Sequence, residues 1–152
     1  MLEFIAARGS ASFLQTPAWA RVKSEWRGER VGFYDGDELT GVGLILYRKL
    51  PKLPRYLAYL PEGPVLDWSR DDIAEHFDAL VTHVKKRQAF AVRIGPAVVH
   101  RIWGTKTIKT AIADDNITSL TEVEPDIVTP EGEHVVSVLK QGGWITDETG
   151  HG

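Results

Sequence analysis

Apolar side chains recur along the chain with two different periods. One stripe at helical spacing predicts a helix over residues 69–87 and consists of Ile73, Phe77, Leu80 and Val84. Ser69 is its candidate N-cap, and the basic residues 85–87 close it with the sign that a helix C-terminus favours. This is the clearest helix that the pattern predicts.

Shorter apolar runs predict strands over residues 30–34, 39–47, 56–60 and 89–94. The first two flank Asp-Gly at residues 35–36, a pair that adopts the positive φ angles of a tight hairpin turn. In the run over 39–47, both faces of the strand would carry apolar residues. It is therefore predicted to be a central strand buried on both faces.

Two further helices are predicted near the chain ends. The first covers residues 12–26, with Thr16 as N-cap, Pro17 at the first helical position and Gly28 as its stop. The second covers 133–141, and the following residues 144–146 are predicted to begin another strand. Residues 99–115 favour neither state.

This order of elements predicts an α/β protein of the α+β type, with a mixed sheet covered by helices. A run of antiparallel strands followed by a helix-to-strand crossover has this architecture. The pattern is that of an acetyltransferase-like fold.

Composition excludes several kinds of chemistry. There are 152 residues, enough for one domain, and no cysteine, so disulfides, thiolate metal sites and a cysteine nucleophile are impossible. The formal charge of -3 gives no bulk attraction to phosphate polymers. No signal peptide or membrane span is evident, which predicts a cytoplasmic protein.

Motifs for metals and common cofactors are missing from the sequence. His76 and His83 are seven positions apart, too far along one helix to share an ion, and no His-Glu-x-x-His occurs. Walker, dinucleotide and coenzyme A pyrophosphate loops are also absent. We therefore expect neither a metal nor a bound cofactor.

Three segments, in order, resemble the Fem family of peptidoglycan aminoacyltransferases, the methicillin-resistance factors, and most of all its actinobacterial members. They are residues 15–23 (QTPAWARVK), 59–65 (YLPEGPV) and 89–96 (AFAVRIGP). Residues 139–144 (LKQGGW) resemble the helix that leads to a Gly-aromatic pair in that family. The resemblance covers nearly the whole chain.

The resemblance implies a function for a longer protein. Family members have two acetyltransferase-like domains and transfer an amino acid from aminoacyl-tRNA, their co-substrate, to the peptide stem of a UDP-linked or lipid-linked precursor. Residues 1–146 would be most of the first domain, which contacts the precursor, and residues 147–152 a polar tail at a truncation point. Aminoacyl-tRNA would reach the protein through the missing second domain. We expect this chain alone to be inactive.

Six residues are the substrate-binding candidates that the resemblance implies: Lys23, Trp19, Tyr59, Gly63, Phe90 and Arg93. Lys23 matches the family's lysine for the precursor diphosphate, and an ammonium suits phosphate. A solvated lysine is the competing interpretation. For Trp19 and Tyr59 the competing interpretation is packing, and it is favoured.

Two positions depart from the family pattern. Phe90 stands where a tyrosine can lie near the peptide stem, so a hydroxyl contact is excluded there. Gly95 replaces an aspartate once considered for acid–base work, and glycine cannot transfer a proton. Arg93, in a strand, needs a carboxylate or the precursor as its partner. The catalytic residues remain unknown.

Three other possibilities stay open at this stage. Arg48, Lys49, Lys52 and Arg55 could contact tRNA or an anionic membrane surface, or form an ordinary solvated loop. The chain could also be a small acetyl-CoA-dependent acetyltransferase. It could instead be a non-catalytic interaction module that dimerises through an open sheet edge.

Overall fold

The computed structural model describes residues 1–7, 13–22 and 25–147. Within them the helices are α1 Leu2–Ala6, α2 Pro17–Val22, α3 Ile73–Lys86, α4 Thr105–Ile112 and α5 Pro130–Gln141. The strands are β1 Arg27–Asp35, β2 Glu38–Lys49, β3 Tyr56–Leu60, β4 Val65–Leu66, β5 Ala89–Ile94, β6 Arg101–Ile102 and β7 Ile127–Val128. Short 3₁₀ turns lie at Phe13–Gln15 and Leu120–Glu122.

Strand β2 is the centre of a mixed sheet. β1 pairs antiparallel with one of its edges, and β3 and β4 pair antiparallel with the other. β5 lies parallel to β3, and the chain passes between them through β4 and α3, the kind of crossover that a parallel pair requires. The prediction of a mixed sheet with helices is confirmed.

Burial of β2 on both faces follows its sequence. All residues from 40 to 47 are buried, including Leu44, Ile45 and Leu46, which are at most 1% exposed. The strand is longer than predicted because Glu38 pairs with Asp35 of β1 at one end, while Arg48 and Lys49 pair with β3 at the other. The predicted strands over 56–60 and 89–94 coincide with β3 and β5.

The main core lies between the sheet and α3. The predicted stripe of α3 is buried as a unit, with Ile73, Phe77, Leu80 and Val84 at most 2% exposed. It packs against Ile45 of β2 and against Ala58 and Leu60 of β3. Each large apolar side chain buried in this way contributes about 1.5–3 kcal/mol. We call this side of the sheet the α3 face.

Helices α1 and α2 cover part of the opposite face. Ile5 of α1 packs with Val42 and Val65, and Ala20 of α2 lies over Gly28. A Cβ at Gly28 would be 2.9 Å from the Cβ of Ala20. The prediction that Gly28 ends the first helix was therefore wrong: this glycine is in β1 and lets the helix approach the strand.

Two other local predictions were wrong for identifiable reasons. Ser69 does not cap α3, because its hydroxyl donates to the Asp67 carboxylate at 2.6 Å, and α3 begins later, after Asp72. Trp144 does not begin a strand. Gly143 has φ +82° and turns the chain back, so that the Trp144 ring lies 5.7 Å from that of Phe77.

Residues 99–133 contain a second, two-stranded sheet. β6 and β7 pair antiparallel, and α4 lies between them in sequence. The Asp126 carboxylate accepts hydrogen bonds from the Gly104 amide and, at 2.8 Å, from the Thr107 hydroxyl at the start of α4, which lower the pKa of Asp126. Thr129 caps α5, which therefore begins three residues earlier than predicted.

A cluster around Glu29 joins β1 and β2 to the end of α3. Its carboxylate accepts from the Tyr47 hydroxyl at 2.8 Å and from the Arg87 guanidinium at 2.7 Å, and lies 3.1 Å from the His83 ring. Burial raises the pKa of Glu29, but the hydrogen bonds from Arg87, Tyr47 and His83 outweigh it and lower the pKa from 4.5 to about 2. The cluster therefore favours the folded state when Glu29 is ionised.

Replacing Glu29 should remove a pH-dependent part of the stability. Because the folded-state pKa lies below the unfolded one, the contribution is complete above about pH 4.5 and is lost as the pH falls towards 2. We expect Glu29→Gln to lower the free energy of unfolding by about 2 kcal/mol at pH 7. Urea unfolding at several pH values should show this difference shrinking below about pH 4.5.

Glu124→Gln is the matched control, since Glu124 is exposed and makes the same change of charge elsewhere. It should leave the unfolding free energy nearly unchanged at every pH. An equal loss of stability from Glu29→Gln at pH 7 and pH 2.5 would contradict the assignment.

Candidate functional site

A buried amide side chain completes the sheet where strands are missing. β2 pairs with β3 at residues 46–49 and with β4 at residues 41–42, so Leu44 faces neither strand. Gln15 is 0% exposed and occupies this position. Its Oε1 accepts from the Leu44 amide at 2.9 Å, and its Nε2 donates to the Pro61 carbonyl at 2.5 Å. Backbone groups that would otherwise be buried without partners are satisfied in this way.

Gly63 leaves the room that Gln15 occupies. A Cβ at Gly63 would be 2.3 Å from the amide carbon of Gln15, a distance that no packing tolerates. The Gly63 carbonyl in turn accepts a hydrogen bond from the Gly95 amide at 3.1 Å. The three segments quoted for the resemblance therefore meet at one place in the fold, although they are far apart in sequence.

A row of two cations and two aromatic rings lies beside this place on the face opposite α3. Tyr59 and Arg93 are neighbours in the β3–β5 register, and the Arg93 guanidinium lies 6.0 Å from the Tyr59 ring. The ring centroids of Trp26 and Tyr59 are 6.1 Å apart, and the guanidinium carbon of Arg48 lies 5.7 Å from the centroid of the Trp26 ring. We call Arg48, Trp26, Tyr59 and Arg93 the cation–aromatic row.

The row suits an elongated ligand with anionic and planar or sugar groups. Both rings are half-buried, and both arginine side chains are exposed, so the groups are accessible. Three of the four lie on strands of the sheet, and Trp26 immediately precedes β1. Arginine binds phosphate and carboxylate in a fork, and the aromatic faces accept stacked rings. Arg93 also contacts the Asp147 carboxylate at 2.9 Å.

The structure brings together some of the predicted site residues and separates others. Tyr59 and Arg93 are in the row. Gly63 is connected to it because its carbonyl accepts a hydrogen bond from the amide of Gly95, which follows the strand of Arg93. Trp19 is on α2, and its indole nitrogen is shielded from solvent. Phe90 is 57% exposed at an irregularity near the start of β5, away from Gly95.

Lys23 lies outside the described residues, so its prediction remains a prediction. In sequence it follows Val22, the last residue of α2, and precedes Trp26 by three positions. Sequence reasoning missed Trp26, which it assigned to a helix end. It considered Arg48 only as a contact for tRNA or an anionic membrane surface, or as part of a solvated loop. The proximity of Trp26 and Arg48 arises because the residue before β1 lies beside the end of β2, and it is evident only from the fold.

A depression of about 700 Å³ lies between β1 and α3, and its chemistry differs from that of the cation–aromatic row. Glu29, Asp35, Asp72 and Glu75 line it together with two histidines. Arg70 pairs with Asp35 at 2.7 Å and with Asp72 at 2.8 Å, and its hydrogen bond lowers the pKa of Asp72. Several of these carboxylates are engaged in ion pairs, whereas the cation–aromatic row presents exposed cations, so the row is the better candidate for an anionic ligand.

Buried His76 is held within this depression by the surrounding structure. Its Nε2 lies 2.6 Å from the Thr40 hydroxyl, and its Nδ1 lies 2.9 Å from the Asp72 carbonyl. Its ring stacks on Phe33 with centroids 5.5 Å apart. These contacts explain His76 as a satisfied core histidine. Among the described residues no three His, Asp or Glu side chains form a group suited to a metal ion.

The family model of FemAB matches residues 2–123. The chain belongs to the FemAB family. The matched region includes all three converging segments and every residue of the cation–aromatic row. It ends before α5, which carries the fourth segment.

This chain matches only part of the length of its curated relatives. The lipid II:glycine glycyltransferase of Staphylococcus saprophyticus is 34% identical over 98 residues, 62% of this chain and 24% of that protein. The protein of the same name from Staphylococcus haemolyticus is 35% identical over 98 residues, 62% of this chain and 23% of that protein. The chain thus spans about a quarter of the length of the curated relatives that it matches.

The solved structure of FemX is also similar to this chain over part of its length. It is 30% identical, with a TM-score of 0.54 over 73% of this chain and 28% of its own. The mixed sheet described above is therefore a FemAB fold unit. In the described part of the chain, no helix has the length and apolar character needed to cross a bilayer.

The contact between Gln15 and Gly63 predicts a sharp contrast between two glycines of this FemAB unit. Gly63→Ala places a methyl group on the Gln15 amide and should destabilise the fold by about 1–3 kcal/mol. Gly95→Ala is the matched control, because the nearest atom to its Cβ is 3.6 Å away. Thermal unfolding of both variants measures the contrast.

Equal stability of the two variants would contradict this account of Gly63. The same experiment on Gln15→Ala should also show destabilisation, because the Leu44 amide and the Pro61 carbonyl lose their partner.

Proposed function

We propose that this chain is the precursor-binding part of a tRNA-dependent aminoacyltransferase, which adds amino acids to the peptide stem of a peptidoglycan precursor. The observation that carries the proposal is the cation–aromatic row beside the point where the family segments converge. Support also comes from the activity for which the curated relatives are named, that of a lipid II:glycine glycyltransferase. In this proposal residues 1–146 form most of an acetyltransferase-like first domain, and the protein acts in the cytoplasm.

In this proposal, Lys23 and the cation–aromatic row bind different chemical groups of the precursor. A UDP-linked or lipid-linked muropeptide contains a diphosphate, sugar rings and peptide carboxylates. Lys23 supplies a point charge for the diphosphate, and Arg93 and Arg48 bind further anionic groups as forks. Trp26 and Tyr59 provide flat surfaces for the sugars or the base. Trp19, Gly63 and Phe90 act around this surface, the first two by shaping it.

The chemistry of the complete enzyme is aminoacyl transfer. The amine of the peptide stem attacks the ester carbonyl of aminoacyl-tRNA, and a new amide bond forms. The ester C–O bond breaks, and the tRNA hydroxyl leaves with the proton that the amine loses. Gly95 offers no carboxylate for this proton. Rate enhancement then rests on positioning and on stabilisation of the oxyanion, for which this chain provides the positioning of the acceptor.

In our proposal, activity also depends on the part of the relatives' length that this chain does not match. Aminoacyl-tRNA would bind through the second domain, with no cofactor or metal, and the chain alone would bind the precursor without transferring an amino acid. The acetyl-CoA alternative has no observation in its favour, since the sequence contains no coenzyme A pyrophosphate loop.

Titration of the chain with a UDP-muropeptide by calorimetry tests the proposal. We expect weak binding that falls as salt rises, because charge-assisted contacts contribute much of the affinity. Arg93→Ala and Lys23→Ala should each weaken it roughly tenfold. Lys106→Ala removes an exposed cation from α4 and should leave the affinity unchanged.

Asp147→Asn tests whether the effect of Arg93→Ala comes from a lost contact with the ligand or from the lost ion pair between Arg93 and Asp147. It removes the carboxylate that contacts Arg93 and should keep or increase the affinity, whereas a purely structural ion pair would make Asp147→Asn and Arg93→Ala equivalent. No binding by the wild type, together with a concentration-dependent oligomer, would favour the interaction module instead.

A further inference from the structure

One end of the molecule concentrates positive charge although the chain as a whole is negative. The loop between β2 and β3 and the last turn of α3 meet there, because the Tyr56 amide donates to the Gln88 carbonyl at 3.1 Å. We call the exposed cations of this end the basic end: Lys49, Lys52, Arg55, Lys85 and Lys86. Within the part of the chain that the structure describes, none of the five forms an ion pair with a carboxylate.

Nearby carboxylates do not neutralise this charge. Residues 47–56 and 85–90 contain no Asp or Glu. Glu29, the carboxylate that contacts the end of α3, already forms an ion pair with Arg87 at 2.7 Å. The five cations are therefore available to an external anionic partner.

Exposed apolar side chains stand among these cations. Leu53 is 54% exposed near the apex of the loop, between Pro51 and Pro54, and Lys52 beside it has φ +66°. The Leu50 amide donates to the Arg55 carbonyl at 2.9 Å and closes the loop. Phe90, which follows α3 by four positions, is 57% exposed. A closed loop that holds a leucine outward between cations combines the two features of a bilayer-interface anchor.

We propose that the basic end docks this protein on an anionic phospholipid surface, with the cations on the headgroups and Leu53 at the acyl boundary. Nucleic acid fits less well, because a phosphate backbone offers nothing to an exposed leucine. Arg48 of the cation–aromatic row adjoins Lys49, so docking would bring one end of the row to the membrane. This last consequence rests on the proposed function, since it presents the row to a lipid-linked precursor.

Vesicle co-sedimentation of the wild-type chain tests the docking. The vesicles are phosphatidylcholine alone or phosphatidylcholine with phosphatidylglycerol. We expect binding to the anionic vesicles only. Lys52→Glu/Arg55→Glu should weaken it by at least about 25-fold, since each cation near such a surface contributes about fivefold. Leu53→Ser should weaken it roughly fivefold at constant charge.

Lys106→Glu/Lys109→Glu is the matched control, with the same change of charge on exposed residues of α4. It should retain wild-type vesicle binding within about twofold, because its charges lie away from the docking end. All variants should keep the wild-type unfolding temperature. An equal loss in the control pair would overturn the proposal, since net charge alone would then explain binding.

Two further measurements complete the test. Binding to an RNA hairpin that is tighter than vesicle binding and unaffected by Leu53→Ser would overturn the membrane assignment in favour of nucleic acid. UDP-muropeptide affinity without vesicles should be unchanged in Lys52→Glu/Arg55→Glu. Docking can thus fail while precursor binding persists, and the two proposals are tested separately.

Discussion

The Gln15 amide inserted between β3 and β4 is the interaction on which the arrangement of this protein depends. β2 changes partners along one edge, and at the change its Leu44 amide would otherwise face the interior without a strand. Gln15 supplies both a donor and an acceptor there, and it comes from the segment that leads into α2. Since buried polar groups without partners cost about 1–3 kcal/mol each, this insertion fixes the segment to the sheet.

The constraint extends from Gln15 to the candidate site. Gly63 must lack a side chain to admit the amide, and its carbonyl binds the Gly95 amide at the end of β5. The same strands carry Tyr59 and Arg93 on the face opposite α3. One buried contact therefore connects the loop before α2 with the strands of the cation–aromatic row, and the row inherits the rigidity of the sheet.

Alternation along the strands explains why core and site do not compete. On β3, Ala58 and Leu60 point to α3 and are fully buried, while Tyr59 between them points to the other face. The acids of the β1–α3 depression are also on the α3 side, where ion pairs with Arg70 and Arg87 neutralise several of them. The exposed arginines of the cation–aromatic row are thus separated from these acids by the sheet itself.

Sequence reasoning succeeded where the determining interactions are local. The bounds of β3 and β5 and the buried stripe of α3 follow from spacing within a single element. It failed at Gly28, whose role depends on the approach of Ala20, and at Trp144, whose direction is set by the turn at Gly143. Gln15 was part of a recognised motif, but its partners are 29 and 46 positions away and could not be found from spacing.

The central claim is that a peptidoglycan precursor binds at the cation–aromatic row, and tryptophan resonances test it most directly. The chain has five tryptophans, of which Trp26 alone is in the row, Trp68 is in the core on the α3 face, and Trp103 bonds to Val123 near α4. In ¹⁵N–¹H spectra recorded during UDP-muropeptide titration, the Trp26 indole signal should shift saturably while those of Trp68 and Trp103 stay in place. A Trp26 signal that does not move at saturating ligand, or a larger shift at Trp103, would contradict the account.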